Sequence, residues 1–467
     1  MSGPGAMRMS RRALLGGLVV GAGGVVLDAC TTSTGSGHQS TSSTAWPPTS
    51  SASSTTKTTL AVGSAPNPKA AFGTDQLPQF DHLVVVMMEN HSFDNMIGMA
   101  GRGDGLTLGP GGLPTNSNPY PPAPRRLRSF HMPTPCQTHS PSQDWNATHE
   151  QYDNGTCQGF VTSPSGPVSM GYFTGYDMPF TYGLARTFPI ADRWFCSAMA
   201  QTLPNRRYLL AGTSLGLIDD SLLTPLPPNG TILDQFNSYD ISWKNYYSNL
   251  PSIYCWFGLY GQKPIADHVV SVDSFFADCA SGSLPSFSLV DPNFNTSSEE
   301  NPQDVQYGDV FLSTVVNAVL SSPKWDRTLL VWTYDEHGGY YDHVPPPAAP
   351  LPDDVPPDLK PGDVPGRFDR FGFRVPAGLV SPYAKKDFVS HTVYDHTSVL
   401  KLCEIKWNLP ALTHRDAAAN DILDMVDFES SPVFLTPPRM PAAANPALRN
   451  SCSPATAGGV PPTAVIG

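Results

Sequence analysis

The chain has 467 residues, with 28 Lys plus Arg against 40 Asp plus Glu and a formal net charge of −12. That balance excludes non-specific nucleic-acid binding, which draws its affinity from Lys and Arg neutralising phosphates. With 40% hydrophobic and 15% charged residues the chain holds enough apolar material for a sizeable core, which excludes wholesale disorder, while 49 Pro and 40 Gly predict many ordered loops.

The first signal in chain order is an address. Ser10-Arg11-Arg12-Ala13-Leu14-Leu15 precedes a weakly apolar, Gly-rich run, the pattern of a twin-arginine (Tat) export signal. The run closes on Leu27-Asp28-Ala29-Cys30, where Leu and Ala fit a bacterial lipobox and Asp28 is unusual. Processing at this point makes Cys30 the lipidated end of an envelope-anchored protein. Cleavage nearby, with Cys30 a bystander, gives a secreted one. Residues 1–30 are read as this signal, and 31–76, dominated by Ser, Thr, Gly and Pro, as a disordered tether. The catalytic body is placed at 77–430, with a Pro/Ala-rich irregular tail at 431–467. No internal stretch reaches the 18 or so apolar residues of a membrane span.

The first strong strand pattern is Leu83-Val84-Val85-Val86-Met87-Met88, a continuous apolar run expected of a strand covered on both faces. It stops at Glu89-Asn90-His91-Ser92-Phe93-Asp94, with Ser92 placed to cap a helix. The second, Leu329–Tyr334, follows a predicted helix over Val310–Ser321 and stops at Asp335-Glu336-His337-Gly338-Gly339. In an open α/β sheet, ligands bind beyond the carboxyl ends of the strands. Glu89, Asn90, Asp335 and Glu336 all offer oxygen there, a set that favours Ca²⁺, Mg²⁺ or Mn²⁺ over a thiolate zinc site, with nearby histidines keeping Zn²⁺ open.

Between these strands, Thr202 precedes Leu203-Pro204-Asn205 and an apolar helical pattern beginning near Asn205. A hydroxyl at a helix start lies where free amides and the dipole favour an anion. His396, beside Asp395, opens a late apolar helix. The eight cysteines contain no CxxC, and proximity in sequence suggests the pairs Cys136/Cys157 and Cys255/Cys279. Two aromatic-rich segments, 171–183 and 243–261, are candidate linings for a lipid or choline pocket, with core packing the alternative.

The segments FDHLVVVMMENHSFDNMIG, QTLPNRRYLLAGT, SSPKWDRTLLVWTYDEHGGYYDHVPPP, RFGFRVPAGLVSPYAK and VYDHTSVLKLCE occur in order over most of 78–410. Together they resemble the bacterial phosphoesterase family of non-haemolytic-type phospholipases C and related acid phosphatases, within the alkaline-phosphatase-like superfamily. The resemblance implies an α/β fold: a central, mainly parallel sheet with helices on both faces and loop-rich insertions. It implies one divalent metal held by Glu89, Asn90, Thr202, Asp335 and Glu336, with Thr202 as nucleophile. It implies that His149 reaches the phosphate, and it makes His343 and His396 candidates for phosphate contact or leaving-group protonation. Asn205, His268 and His337 are assigned to substrate, His268 as a substitute for a histidine that relatives carry where this chain reads Glu300-Asn301-Pro302.

The expected activity is hydrolysis of phospholipids such as phosphatidylcholine to diacylglycerol and a phospho-headgroup. The alternatives are a phosphomonoesterase of the acid-phosphatase branch and a non-catalytic surface lipoprotein. Expected partners are a phospholipid membrane surface and the Tat machinery, with no nucleic acid, and the chain is expected to be a monomer.

Overall fold

The computed structural model describes residues 60–136, 140–222, 225–446, 452 and 459–467. The export signal, the lipobox and the tether before residue 60 lie outside the described residues. Eight strands form the central sheet: β1 (His82–Met88), β2 (Ile190–Ala191), β3 (Trp243–Tyr247), β4 (Val269–Ser271), β5 (Phe287–Asp291), β6 (Thr328–Tyr334), β7 (Ala377–Val380) and β8 (Val389–Ser390). Their order is β8-β2-β7-β6-β1-β5-β3-β4. Only β7 runs against its neighbours, so the sheet is mainly parallel, as expected.

β1 and β6 lie at the centre because they are predominantly apolar: all of β6 and all but the first residue of β1 are buried. A strand flanked on both edges and covered on both faces has no solvated side to pattern, hence the unbroken hydrophobic runs. The two pair in parallel along their whole lengths, His82 opposite Thr328 through Met88 opposite Tyr334. That register brings their next residues, Glu89 and Asp335, level with each other.

The helices that matter here are α1 (Phe93–Ile97), α2 (Trp145–Tyr152), α3 (Pro179–Thr187), α4 (Thr202–Ala211), α5 (Val272–Ser281), α6 (Gln306–Leu320) and α7 (Thr397–Trp407). α6 packs on α3 and α5, and α4 on α7. Ser92 caps α1, its Oγ accepting from the Asn95 amide at 3.1 Å. α6 starts at Gln306, four residues before the predicted start, and α4 starts at Thr202 itself rather than near Asn205. Pro204 sits in the first turn of α4, where its missing N–H costs the helix nothing.

Both ends of the body extend further than composition suggested. The described residues from Leu60 onward belong to one compact unit. Gly63 donates to the Ala411 carbonyl at 2.8 Å, the Asn408 side-chain amide donates to the carbonyls of Asn67, Ala70 and Ala71, and Lys406 pairs with Asp75 at 2.6 Å. At the other end, the Phe434 carbonyl accepts from Trp325 Nε1, and the Ala444 amide donates to Asp309. Val465–Ile466 add a strand to Arg126–Arg128. A Pro/Ala-rich segment can therefore be docked through its backbone, which composition does not report.

The cysteine pairings need correction. Cys136 bonds Cys452, with Cα atoms 5.3 Å apart across 316 residues of sequence, while Cys157, Cys255 and Cys279 are free and buried. Chain folding, not sequence proximity, sets which thiols meet.

Candidate active site

The acids at the ends of β1 and β6 converge with α4. Glu89, Asn90, Thr202, Asp335 and Glu336 are all buried. Thr202 Oγ donates to Asn90 Oδ1 at 3.2 Å, and the Asn90 amide donates to Asp335 Oδ1 at 3.1 Å. The Glu336 amide donates to the same Asp335 oxygen at 2.8 Å. Hydroxyl, amide and carboxylate thus form one connected polar cluster. Asn90 takes a left-handed backbone, φ 63°. Gly338 presses against its carbonyl: a Cβ built on Gly338 would stand 1.7 Å from Asn90 O, so only glycine fits.

Arg206 was not anticipated from the sequence. One turn after Thr202 on α4, it reaches back under the site and is fully buried. Its Nε donates to Asp335 Oδ2 at 3.1 Å, one terminal nitrogen contacts Asp291 at 3.3 Å, and the other reaches the carbonyls of Met87 and Met88. It fastens the carboxyl ends of β6, β1 and β5 together. Burial pushes the Asp291 carboxyl above its ordinary value, and the Arg206 charge works against that push. The spacing Thr202-x-x-x-Arg206, which puts both residues on one face of a helix, was the available signal.

The start of α4 differs from expectation in one respect. The Leu203 amide donates to Asp220 Oδ1 at 2.8 Å, and Pro204 has no N–H. The helix start is thus capped by a carboxylate, and Leu203 offers no free amide to a phosphate. Asn205 likewise serves the chain rather than an open cleft: it bonds Ala198 through both ends of its side chain and donates to the carbonyls of Ala200 and Gln201. It closes the loop that delivers Thr202.

The predicted histidines scatter. His396 Nε2 donates to the Asp335 carbonyl at 2.7 Å and its Nδ1 lies 3.4 Å from Trp194 Nε1, so both nitrogens are occupied, and burial lowers its pKa. His149 Nδ1 faces the Trp145 carbonyl at 2.7 Å, and burial lowers its pKa also. His337 Nε2 meets Gln151 Oε1 at 2.6 Å, while its Nδ1 lies 3.4 Å from Glu336 Oε2. Burial holds His337 down at about 3. His268 stacks on Trp243 at 4.4 Å and bonds the Trp243 carbonyl. Trp243 begins β3, so His268 stands by the amino end of a parallel strand, away from the carboxyl edge where Glu89 and Asp335 lie. Asn301 Nδ2 donates to the Tyr340 hydroxyl at 2.7 Å.

His343 belongs to a neighbouring ionic cluster. Its ring nitrogens contact Asp94 at 2.7 Å and Asp104 at 3.2 Å. Arg374 contacts Asp342 at 2.9 Å and Asp94 at 3.1 Å. Burial would lower the His343 pKa, but Asp94 and Asp342 outweigh it and raise it to about 9. Among the described residues, Asp94, Asp342 and His343 are the group whose ligand atoms all lie within 4.8 Å of one another, close enough to hold a metal. In this structure Arg374 already supplies a cation to both carboxylates.

The oxygen donors Glu89, Asn90, Thr202, Asp335 and Glu336 fit a hard divalent ion by chemistry. Beside these oxygens, His337 Nδ1 is buried next to Glu336 without a hydrogen-bond partner among the described residues. The aromatic segments are mostly core. Tyr172, Phe173, Trp243, Tyr246 and Trp256 are buried, and Trp256 already holds the Arg207 guanidinium 5.5 Å from its ring centre. Tyr176, at 95%, and Phe257, at 45%, are the exposed ones. A cavity of about 180 Å³, lined in part by Ala211, Thr213, Asp353 and Thr413, sits at the other end of α4. It is about 15 Å along the helix from Thr202 and has no part in this cluster.

The model of the Phosphoesterase family matches residues 80–410. Non-specific phospholipase C6 of Arabidopsis thaliana is 32% identical over 394 residues, covering 78% of this chain and 75% of its own length. Phospholipase C B of Mycobacterium tuberculosis is 30% identical over 432 residues, covering 80% of this chain and 81% of its own. Among solved structures, a protein in the alkaline phosphatase superfamily from Vibrio parahaemolyticus aligns with a TM-score of 0.35 and 13% identity, over 69% of this chain and 76% of that one.

Proposed function

The chain belongs to the Phosphoesterase family and is a phosphoric ester hydrolase, and from that premise we propose that it is an exported phospholipase C acting through Thr202. The observation that carries the reading is the link from Thr202 Oγ through Asn90 to Asp335 at the carboxyl ends of two adjacent central strands. A reactive hydroxyl tied to a cluster of acids is the arrangement an in-line attack on phosphorus needs.

In this reading Thr202 Oγ forms the new bond to phosphorus as the bond from phosphorus to the diacylglycerol oxygen breaks. The Thr202 hydroxyl releases its proton to water, and the departing oxygen takes a proton from water in exchange. Water then cleaves the phosphothreonine, returning the hydroxyl and releasing the phospho-headgroup. Asn90 orients the hydroxyl by accepting its proton side, which leaves the oxygen lone pairs directed elsewhere. Arg206 and Asn205 hold the strand ends and the loop before Thr202 in place, so little reorganisation is left to the reaction. A divalent ion held by Glu89, Asn90, Thr202, Asp335 and Glu336 would supply Lewis acidity and lower the hydroxyl pKa. Export and lipid anchoring through Cys30 rest on residues 1–30 and complete the proposal. No helix among the described residues is long and apolar enough to cross a membrane.

The test is hydrolysis of a chromogenic phosphocholine diester beside a phosphate monoester, with and without chelator, by the full chain. Diester turnover that stops with chelator, falls at least about 10³-fold in Thr202→Ala and partly returns in Thr202→Ser is the expected result. Preference for the monoester would move the chain to the phosphatase branch. Turnover unchanged in Thr202→Ala would remove Thr202 as nucleophile.

A further inference from the structure

Gln151, on α2, dictates which nitrogen of His337 carries the proton. The Ser142 carbonyl can only accept, and it lies 2.8 Å from the Gln151 side-chain nitrogen, with Ser165 Oγ at 2.9 Å from the same atom. The Gln151 amide oxygen must therefore be the atom facing His337 Nε2 at 2.6 Å. An oxygen there accepts, so Nε2 is the protonated nitrogen and the ring's lone pair is on Nδ1. The ring packs against Phe373 and Phe160, with ring centres 4.9 Å and 6.2 Å away, and neither offers it anything polar.

The Nδ1 lone pair is buried, makes no hydrogen bond among the described residues and stands 3.4 Å from Glu336 Oε2. Two acceptors facing one another in a dry interior repel, and a cation between them removes the conflict. Their separation also suits adjacent ligands on one ion, whose bonds to imidazole nitrogen and carboxylate oxygen run at about 2.0–2.2 Å. The loop is shaped for this approach. Gly339 has φ 72°, and a Cβ there would meet Ser142 O and Ser165 Oγ at 2.5 Å, the same two groups that orient Gln151.

We infer that His337 Nδ1, held in the ligating tautomer by Gln151, joins Glu336 in binding the active-site cation, and that this nitrogen selects a transition-series ion such as Mn²⁺ or Zn²⁺ over Ca²⁺ or Mg²⁺. This rests on the reading above that a cation binds beside Thr202. It gives His337 a role on the metal in place of the substrate contact expected from the resemblance, and it gives α2 a role through Gln151. Gln151 is a positioning residue: it acts through His337.

The experiment uses Mn²⁺ on full-chain protein stripped with chelator. Pulsed EPR of the reloaded protein reads ¹⁴N coupling from a ligating imidazole. Calorimetric titration gives Mn²⁺ and Ca²⁺ affinities for wild type, His337→Gln and Gln151→Leu, with thermal unfolding of each metal-free form as the folding control. Histidine ¹⁴N coupling in the wild type, its loss in His337→Gln, and about 10–100-fold weaker Mn²⁺ binding in Gln151→Leu with a smaller effect on Ca²⁺ are expected. Mn²⁺ bound without ¹⁴N coupling overturns the role of His337 and leaves the metal reading standing, as does coupling that survives in His337→Gln. Failure of the wild type to bind any divalent ion overturns both. The wild-type spectrum decides the matter even where a variant fails to fold.

Discussion

His343 keeps its proton because two carboxylates face its ring, and this makes stability depend on pH at the alkaline end. Its folded pKa, about 9, lies above the ordinary imidazole value. Its contribution is therefore complete below about pH 6.5 and lost as pH rises through about 9. The linkage is worth about 3 kcal/mol at most. Unfolding free energies of wild type and His343→Gln, measured from pH 6 to pH 10, should differ clearly at the acid end and converge at the alkaline end. A constant gap would show that the imidazolium contributes nothing. At this scale the sequence is least informative. His343, His396 and His149 look alike as letters beside acids or helix starts. One becomes a half-buried cation, one a neutral strut under the Asp335 carbonyl, and one a ring bonded to its own helix. Arg374 and Gln151 carried no separate signal, and Arg206 only its spacing from Thr202, because their work is to hold other groups, and a holding role is defined only by what stands opposite.

Among the elements, the contact that places the site is the passage of the loop after β6 across the loop after β1. Gly338 lies against the Asn90 carbonyl with φ 64°, so a methyl group fails there for two reasons, backbone conformation and backbone collision. Gly338→Ala is predicted to cost at least about 2 kcal/mol in denaturant unfolding and to reduce diester turnover more than the stability loss explains, since the Asn90–Asp335 contact must open. Normal turnover in the folded variant would mean that this contact does not set the site. The elements themselves were largely legible. The apolar runs of β1 and β6, the Ser92 cap and the helix before β6 follow from periodicity and capping chemistry. The start of α4 was misjudged by three residues, because Pro204 reads as a break until it is seen to occupy the first turn.

For the molecule as a whole, composition drew the domain boundary too tightly. Residues 63–75 lack periodicity and charge runs, yet they are fastened to the end of α7 and the loop after it through Asn408, Lys406 and Ala411. A chain beginning at residue 59 should unfold at the same temperature as the full chain. One beginning at residue 77 should lose about 2–4 kcal/mol, because Lys406 is left buried without Asp75 and Asn408 without its carbonyl partners. Equal melting of the two shortened chains would restore the boundary at 77. What the sequence determined alone is the local chemistry: which runs must be buried strands, where oxygen donors end them, and where a hydroxyl opens a helix. These follow from side-chain hydrophobicity and backbone stereochemistry within a few residues. Tertiary structure decided which ends meet: the register that levels Glu89 with Asp335, the Arg206 tie, the Cys136–Cys452 bond, and the tautomer of His337. Each depends on groups far apart in the chain, and only the folded packing sets the distances between them.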